Sequence, residues 1–350
     1  MAHFSKFDLG YSKKNVPIPS QKEYRLQLIR SVEKFVSNLR WRALFYLNPS
    51  EKPTKETFGF KSIRASRHIN EIKDFENRLK IMIRDVVFRP YTNDFQEKLK
   101  RDINDIVNNP NIIVAADKTT NNYELNTNQY NDLLQRNIQK DFKKAANETV
   151  VDDIQNQKEV VSDFDLEKRV MYTQPMPAYV TLKDHKPNFD NDPKCRLINP
   201  SKIEIGKISK QILSRVVDNI KVKTKLNLWK NSDSVIQWFE NIENKHNVKF
   251  IQFDICYYYG SISKELFSDT IQWAKTLTTI TEKEEKVIFE AKQSLLSDGG
   301  NNWKKRGDPK FYIQMGSGDG AESTDLVGLY LLSKLKHLGC TEMMALSCQG

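Results

Sequence analysis

Val248-Lys249-Phe250-Ile251-Gln252-Phe253-Asp254-Ile255-Cys256-Tyr257-Tyr258-Tyr259 runs from a strand-like apolar stretch into an aspartate and a row of tyrosines. The β-branched and aromatic residues before the acid predict a strand over 249–255, which puts Asp254 at a strand tip. A carboxylate there is a hard oxygen ligand of the kind divalent cations take, and the Ile255 carbonyl adds a second oxygen at the same end. Two cations held across an attacking hydroxyl and a leaving phosphate carry out nucleotidyl transfer. The same residues also read as a buried strand whose aspartate caps a helix beginning near Ser263.

Upstream, Ala178-Tyr179-Val180-Thr181-Leu182-Lys183-Asp184-His185-Lys186 and Cys195-Arg196-Leu197-Ile198-Asn199-Pro200 flank the turn-rich segment 187–193, predicting a two-stranded hairpin. Lys183, Lys186 and Arg196 would line it; Arg suits phosphate because its planar fork donates two parallel bonds. A solvated hairpin with ordinary surface charge fits the same residues. Downstream, Phe311-Tyr312-Ile313-Gln314-Met315-Gly316-Ser317 leads into Ala321–Leu332, a strand-to-helix transition with small residues at the turn. Glycine there permits close backbone approach.

Taken in order, these motifs resemble the reverse transcriptases of retroelements, nearest to the Penelope-like group. Ala116-Asp117-Lys118 ahead of Tyr130 is similar to that group's Ala-Asp-Lys motif and following tyrosine. Leu182–Lys186 is similar to its Pro-Lys-x-His-Lys segment, Arg196–Ser201 to Arg-Pro-Ile-Val-Ser, and Met315–Ser317 to its Met-Gly-Ser turn. The resemblance spans about Asn111 to Leu335. It implies an α+β fold, with a helical N-terminal region followed by reverse-transcriptase-like fingers and an incomplete palm. The divisions it suggests are 1–108 as a helical extension, 109–246 as fingers and connecting helices, 247–337 as partial palm, and 338–350 as a tail. It further implies Mg2+ held by Asp254 and the Ile255 carbonyl. Triphosphate would lie against Lys183, Lys186 and Arg196, with Tyr259 beneath the incoming sugar. Gln314, Met315, Gly316 and Ser317 would support the template, with Asp117 and Lys118 in supporting positions. The implied partners are an RNA template, a DNA primer and deoxynucleoside triphosphates. Two residues depart from the pattern: Tyr257 stands where a small or acidic residue is usual, and Gly260 where proline is common.

Composition is compatible with that partner. The 350 residues carry 55 Lys+Arg against 45 Asp+Glu, a net charge of +10, which favours a polyanion while also serving solubility. The four cysteines show no metal-type spacing and suggest a reducing compartment. With no long apolar run and no signal peptide, the expectation is an intracellular protein, cytoplasmic or nuclear, without membrane contact. Ser20-Gln21-Lys22-Glu23 predicts a capping box opening a helix with Leu26, Ile29, Val32, Phe35, Val36 and Leu39 at helical spacing. Further periodic runs lie over 69–86 and 95–106, and 130–169 and 203–222 also read as helical. The residues alone leave two other functions open: a basic nucleic-acid-binding module without catalysis, and a helical interaction protein.

A palm needs further carboxylates, usually from a Tyr-x-Asp-Asp hairpin soon after the helix that ends here near Leu335. Residues 338–350 hold no Asp-Asp pair, so the expectation is a truncated, inactive polymerase with the second metal site incomplete. The genetic code offers a cause. Glu342-Met343-Met344-Ala345 must be written GAR-ATG-ATG-GCN, and the frame starting at each third base reads Asp or Asn, then Asp, then Gly. We therefore predict a change of reading frame between about Lys336 and Cys340, by mutation or by a misdrawn gene boundary. Sequencing the locus tests this: codons for Leu338-Gly339 that cannot spell Gly-Leu in the shifted frame would rule it out.

Overall fold

Ser20 accepts the Glu23 amide while the Glu23 carboxylate takes the Ser20 amide, and this reciprocal cap starts α1 (Gln21–Leu47) as its sequence predicts. The computed structural model describes residues 5–6, 20–89, 93–170, 176–200, 203–226, 228–229, 231–243, 245–247, 255, 257–293, 295–307, 311–313, 315–337 and 346–347. The fold is mixed α+β and mostly helical, with small sheets. The chain divides into two compact units, Met1–Asn131 with Leu182–Lys194, and Asp132–Thr181 with Cys195–Gly350.

In the first unit, α1 meets α2 (Lys73–Asp85) through the Arg40–Glu76 ion pair and the Phe35–Phe75 ring contact. The periodic run read from Ile69 becomes α-helical only at Lys73, after a 3-10 turn at Asn70–Ile72. Half of the apolar stripe of α1 is exposed, Leu26, Ile29 and Phe35, while Val32, Val36 and Leu39 are half-buried; the buried residue of the helix is Leu44, beyond the stripe. Asn93 caps α3 (Asp94–Asn108). Next, β2 (Ile112–Ala115) and β3 (Asn122–Leu125) pair antiparallel, Ile112 opposite Leu125, with β1 (Ser5–Lys6) added on β3. The β-branched run Ile112-Ile113-Val114, followed by the turn-forming Thr119-Thr120-Asn121, is the signal for this hairpin.

The second unit centres on α6 (Ile203–Thr224), where Ile205, Ile208, Ile212, Leu213, Val216, Val217 and Ile220 are all buried. Each such side chain contributes about 1.5–3 kcal/mol by leaving water. Before it come α4 (Thr127–Asp141), β4 (Phe142–Lys144), α5 (Asn147–Asp163) and the neighbouring strands β5 (Tyr179–Leu182) and β6 (Cys195–Ile198). After it come β7 (Leu228–Trp229), α7 (Ser232–Glu240), α8 (Tyr258–Ser261), α9 (Lys264–Leu277) and α10 (Glu282–Glu290). Then follow β8 (Leu296–Ser297), β9 (Asn302–Lys305), α11 (Gly320–His337) and β10 (Leu346–Ser347), the last parallel to β7. Helices α5, α9, α10 and α11 pack on α6. Among the described residues no helix is long and apolar enough to cross a membrane.

Three expectations need adjustment. The helical reading of 130–169 is interrupted by β4, because Phe142 is fully buried and its strand pairs with β9, a tertiary contact that overrides local preference. Phe311–Ile313 alternates burial as a strand should, yet the Tyr312 amide bonds the Lys292 carbonyl at 2.8 Å, so this stretch is extended without joining a ladder. The strand read over 249–255 lies outside the described residues except for Ile255.

The β8–β9 turn is held by Asp298. Its carboxylate accepts the amides of Asn301 (2.7 Å) and Gly300 (3.0 Å), the Trp303 indole (2.9 Å) and the Gln135 amide group (3.0 Å). Burial resists ionisation, but these donors outweigh it and bring the carboxyl down to about 2. A depressed carboxyl stabilises the fold fully above its ordinary pKa and loses that contribution as pH falls toward the folded value. We predict an acid limb of stability between pH ~4 and ~2, flattened in Asp298→Asn. Asp298→Ala should cost about 2–3 kcal/mol in urea unfolding, because four donors lose their acceptor.

Candidate functional site

In the first unit, the Ala116-Asp117-Lys118 and Leu182–Lys186 motifs meet. Ala116 bridges to Leu182 and the Asp117 amide donates to the Leu182 carbonyl at 2.8 Å. Strand alternation buries Val180 and Leu182 of β5, and Asp184 is half-buried in the turn that follows. Asp184 Oδ2 accepts Thr119 Oγ1 (2.7 Å), Asn121 Nδ2 (2.7 Å) and Tyr123 OH (3.0 Å). Burial opposes its ionisation, yet the three donors hold the carboxyl below its usual range. Tyr123 is pushed up to about 12, by burial first and the Asp184 carboxylate next. Asp184 thus ties the Lys183–Lys186 turn to Thr119, Asn121 and Tyr123, and Lys118, His185 and Lys186 are exposed. The sequence reading named the lysines and passed over Asp184, whose partners lie far upstream.

In the second unit, the Arg196 strand and the Met315–Ser317 turn come together. The Asn199 amide donates to the Met315 carbonyl at 3.0 Å, and the Asn199 amide group reaches the Leu295 carbonyl at 3.4 Å. Gly316 has φ +98°, and a Cβ there would lie 2.8 Å from Ile198 Cγ2 and 3.1 Å from the Asn199 carbonyl. The close approach that Gly316 permits is therefore to the chain's own β6 end. Arg196 is half-buried on β6, Ser317 half-buried beside the turn, and Gln314 lies outside the described residues.

Below that turn sits a buried charge. Lys292 is 1% exposed and Asp319 wholly buried; the ammonium donates to Asp319 Oδ2, which also accepts the Ser209 hydroxyl. Burial pushes the Lys292 pKa down, against the pull of Asp319. The Asp319 carbonyl accepts the Ser323 amide at 3.0 Å, placing this acid at the start of α11, where the helix dipole favours a negative charge. Gly206 of α6 lies against Gly318, a Cβ on either meeting the other's backbone at 3.2–3.3 Å. This is the close packing that Gly206 and Ser209 allow.

Around the tyrosine row, Ser263 rather than an aspartate caps α9, its hydroxyl accepting the Leu266 amide at 3.1 Å. Tyr258 OH donates to the Thr324 carbonyl (2.9 Å), fixing α8 to α11, and Tyr259 is half-buried within α8. Tyr257 takes a left-handed conformation (φ 57°) and donates to Asp141 Oδ2 at 2.8 Å. Burial, then Tyr312 and Asp141, raise its pKa. Its ring fills the space beside Gly260, where a Cβ would come within 2.0 Å of it.

Asp254 lies outside the described residues, and Ile255 is exposed. Among the described residues no group of three or more His, Cys, Asp or Glu could hold a metal ion. No protein-family model matches the chain, and no curated protein matches it.

The buried pair generates a test. Asp319→Ala, which strands an ammonium in the core, should cost about 3–5 kcal/mol in urea unfolding. The double variant Lys292→Met, Asp319→Asn should recover more than half of that loss. Equal destabilisation in both would show that the charge pairing is not what holds this junction.

Proposed function

We propose that the chain is part of a retroelement RNA-directed DNA polymerase, nearest in its motifs to the Penelope-like group, comprising fingers and part of a palm. The observation that carries this reading is the seating of Gly316 on Ile198 and Asn199: two motifs far apart in sequence meet through backbone that only glycine allows. The junction of Ala116–Asp117 with Leu182 supports it in the same way. On this reading Lys183, Lys186 and Arg196 bind phosphates, with Asp117 and Lys118 in support. Tyr259 lies against the sugar, and Met315–Ser317 steady the template strand. Magnesium, where bound, would neutralise charge developing on the transferred phosphate; Asp254 and the Ile255 carbonyl are the donors this chain brings to it. Those donors alone do not fix two ions, so the activity assigned to these 350 residues is binding of primer and template without extension.

A DNA primer annealed to an RNA template tests the reading. The chain should bind it with an affinity that falls steeply with salt. A version carrying the restored Asp-Asp-Gly frame should incorporate deoxynucleotides and lose that activity in Asp254→Ala. A soluble, folded, frame-restored protein that incorporates nothing would defeat the polymerase assignment, and salt-dependent binding without incorporation would leave a non-catalytic nucleic-acid-binding module.

A further inference from the structure

The register of β4 on β9 sets Lys143 directly opposite Lys304. Opposed residues of an antiparallel pair share a face, and like charges in that position destabilise the sheet. Lys143 is exposed and Lys304 half-buried, while Phe142 and Trp303 are buried on the alternate positions. Arg306, two residues beyond Lys304, continues the Lys143–Lys304 face and is exposed. Arg306 is fixed by its own amide on the Asp141 carbonyl (2.8 Å) and by Nε on the Phe142 carbonyl (3.1 Å). Lys144 and Lys305 belong to the other face, beside Phe142 and Trp303, where their ammonium groups stand 5.8 Å from the Trp303 ring centre and 4.4 Å from that of Tyr312.

Elsewhere in this unit cations meet carboxylates: Arg215 with Glu284 at 2.9 Å, Lys286 with Asp163 at 3.0 Å, Lys210 with Glu322 at 3.4 Å. Among the described residues no ion pair reaches Lys140, Lys143, Lys144, Lys304 or Arg306. The neighbouring carboxylate, Asp141, takes the Tyr257 hydroxyl. A sheet that opposes two lysines and holds neither in an ion pair among the described residues is complementary to an external polyanion.

We propose that this β4–β9 face binds the phosphate backbone of a nucleic acid, a second contact surface that rests on the nucleic-acid reading above. The full chain, titrated with a short RNA–DNA duplex over a salt series, tests it. In Lys143→Gln, Lys304→Gln the slope of log K against log salt should fall by about 1.4–1.8, the loss of two phosphate contacts. Its unfolding midpoint should hold or rise, since a repulsion has gone. Lys143→Glu, which places an acid opposite Lys304, should raise the midpoint and weaken binding together; a purely structural role would move both the same way. An unchanged slope here beside a reduced slope in Lys183→Gln, Arg196→Gln overturns this surface and leaves the polymerase reading standing. Unchanged slopes in both variants overturn both. Capture of phosphatidylserine vesicles that the Lys143, Lys304 variant loses, with duplex binding intact, assigns the face to a membrane and overturns the proposal.

Discussion

The second unit depends on a desolvated charge pair, Lys292 with Asp319. Taking both ions from water costs several kcal/mol each before their attraction is counted, so such a pair is a poor source of net stability and a strict arbiter of position. Its partners show what it positions. Asp319 begins α11, accepts Ser209 of α6 and holds Lys292 beyond the end of α10. The Lys292 carbonyl in turn takes the Tyr312 amide, which fixes the extended segment leading to the Met315 turn. Four segments are thereby brought to one junction, and Gly206 and Gly318 lack side chains where α6 and the start of α11 touch. Phe267 closes the pocket, its ring 5.6 Å from the ammonium and packed on Phe289 and Phe311.

Local signals made much of the helical content legible. The cap at Ser20 is written in four residues, and the structure forms the box as spelled; a second box, at Thr281, starts α10. Ile203–Val222 shows an apolar period strong enough to be read before any contact is known. β4 was not legible, since Phe142–Lys144 is three residues long and becomes a strand only through β9, far along the chain. The sheet is a long-range fact with no short-range trace.

The sites divide in the same way. Lys183, Lys186 and Arg196 stood out because cations beside turns are visible in a string of letters. Asp184 was hidden in the same motif because its role lies in the Thr119, Asn121 and Tyr123 donors, more than sixty residues upstream. Lys292 looked like any surface lysine: a lone basic residue after an acidic helix carries no sign that it is buried. Its burial is a tertiary fact: Phe267 of α9 stands 5.6 Å from the ammonium, backed by Phe289 of α10 and by Phe311.

The two departures in the tyrosine row turn out to be one. Tyr257 was unexpected for its size and Gly260 for lacking a ring, and each is intelligible only through the other. The left-handed backbone at Tyr257 costs about 1–3 kcal/mol for a bulky residue, and it folds the ring back over Gly260 toward Asp141. A proline at 260 would occupy the volume that ring fills, since even a Cβ there meets it at 2.0 Å. The large residue therefore requires the small one, and the hydroxyl bond to Asp141 offsets part of the backbone strain. Whatever Asp254 does, the segment that follows it is held by a compensated pair rather than weakened by two separate faults.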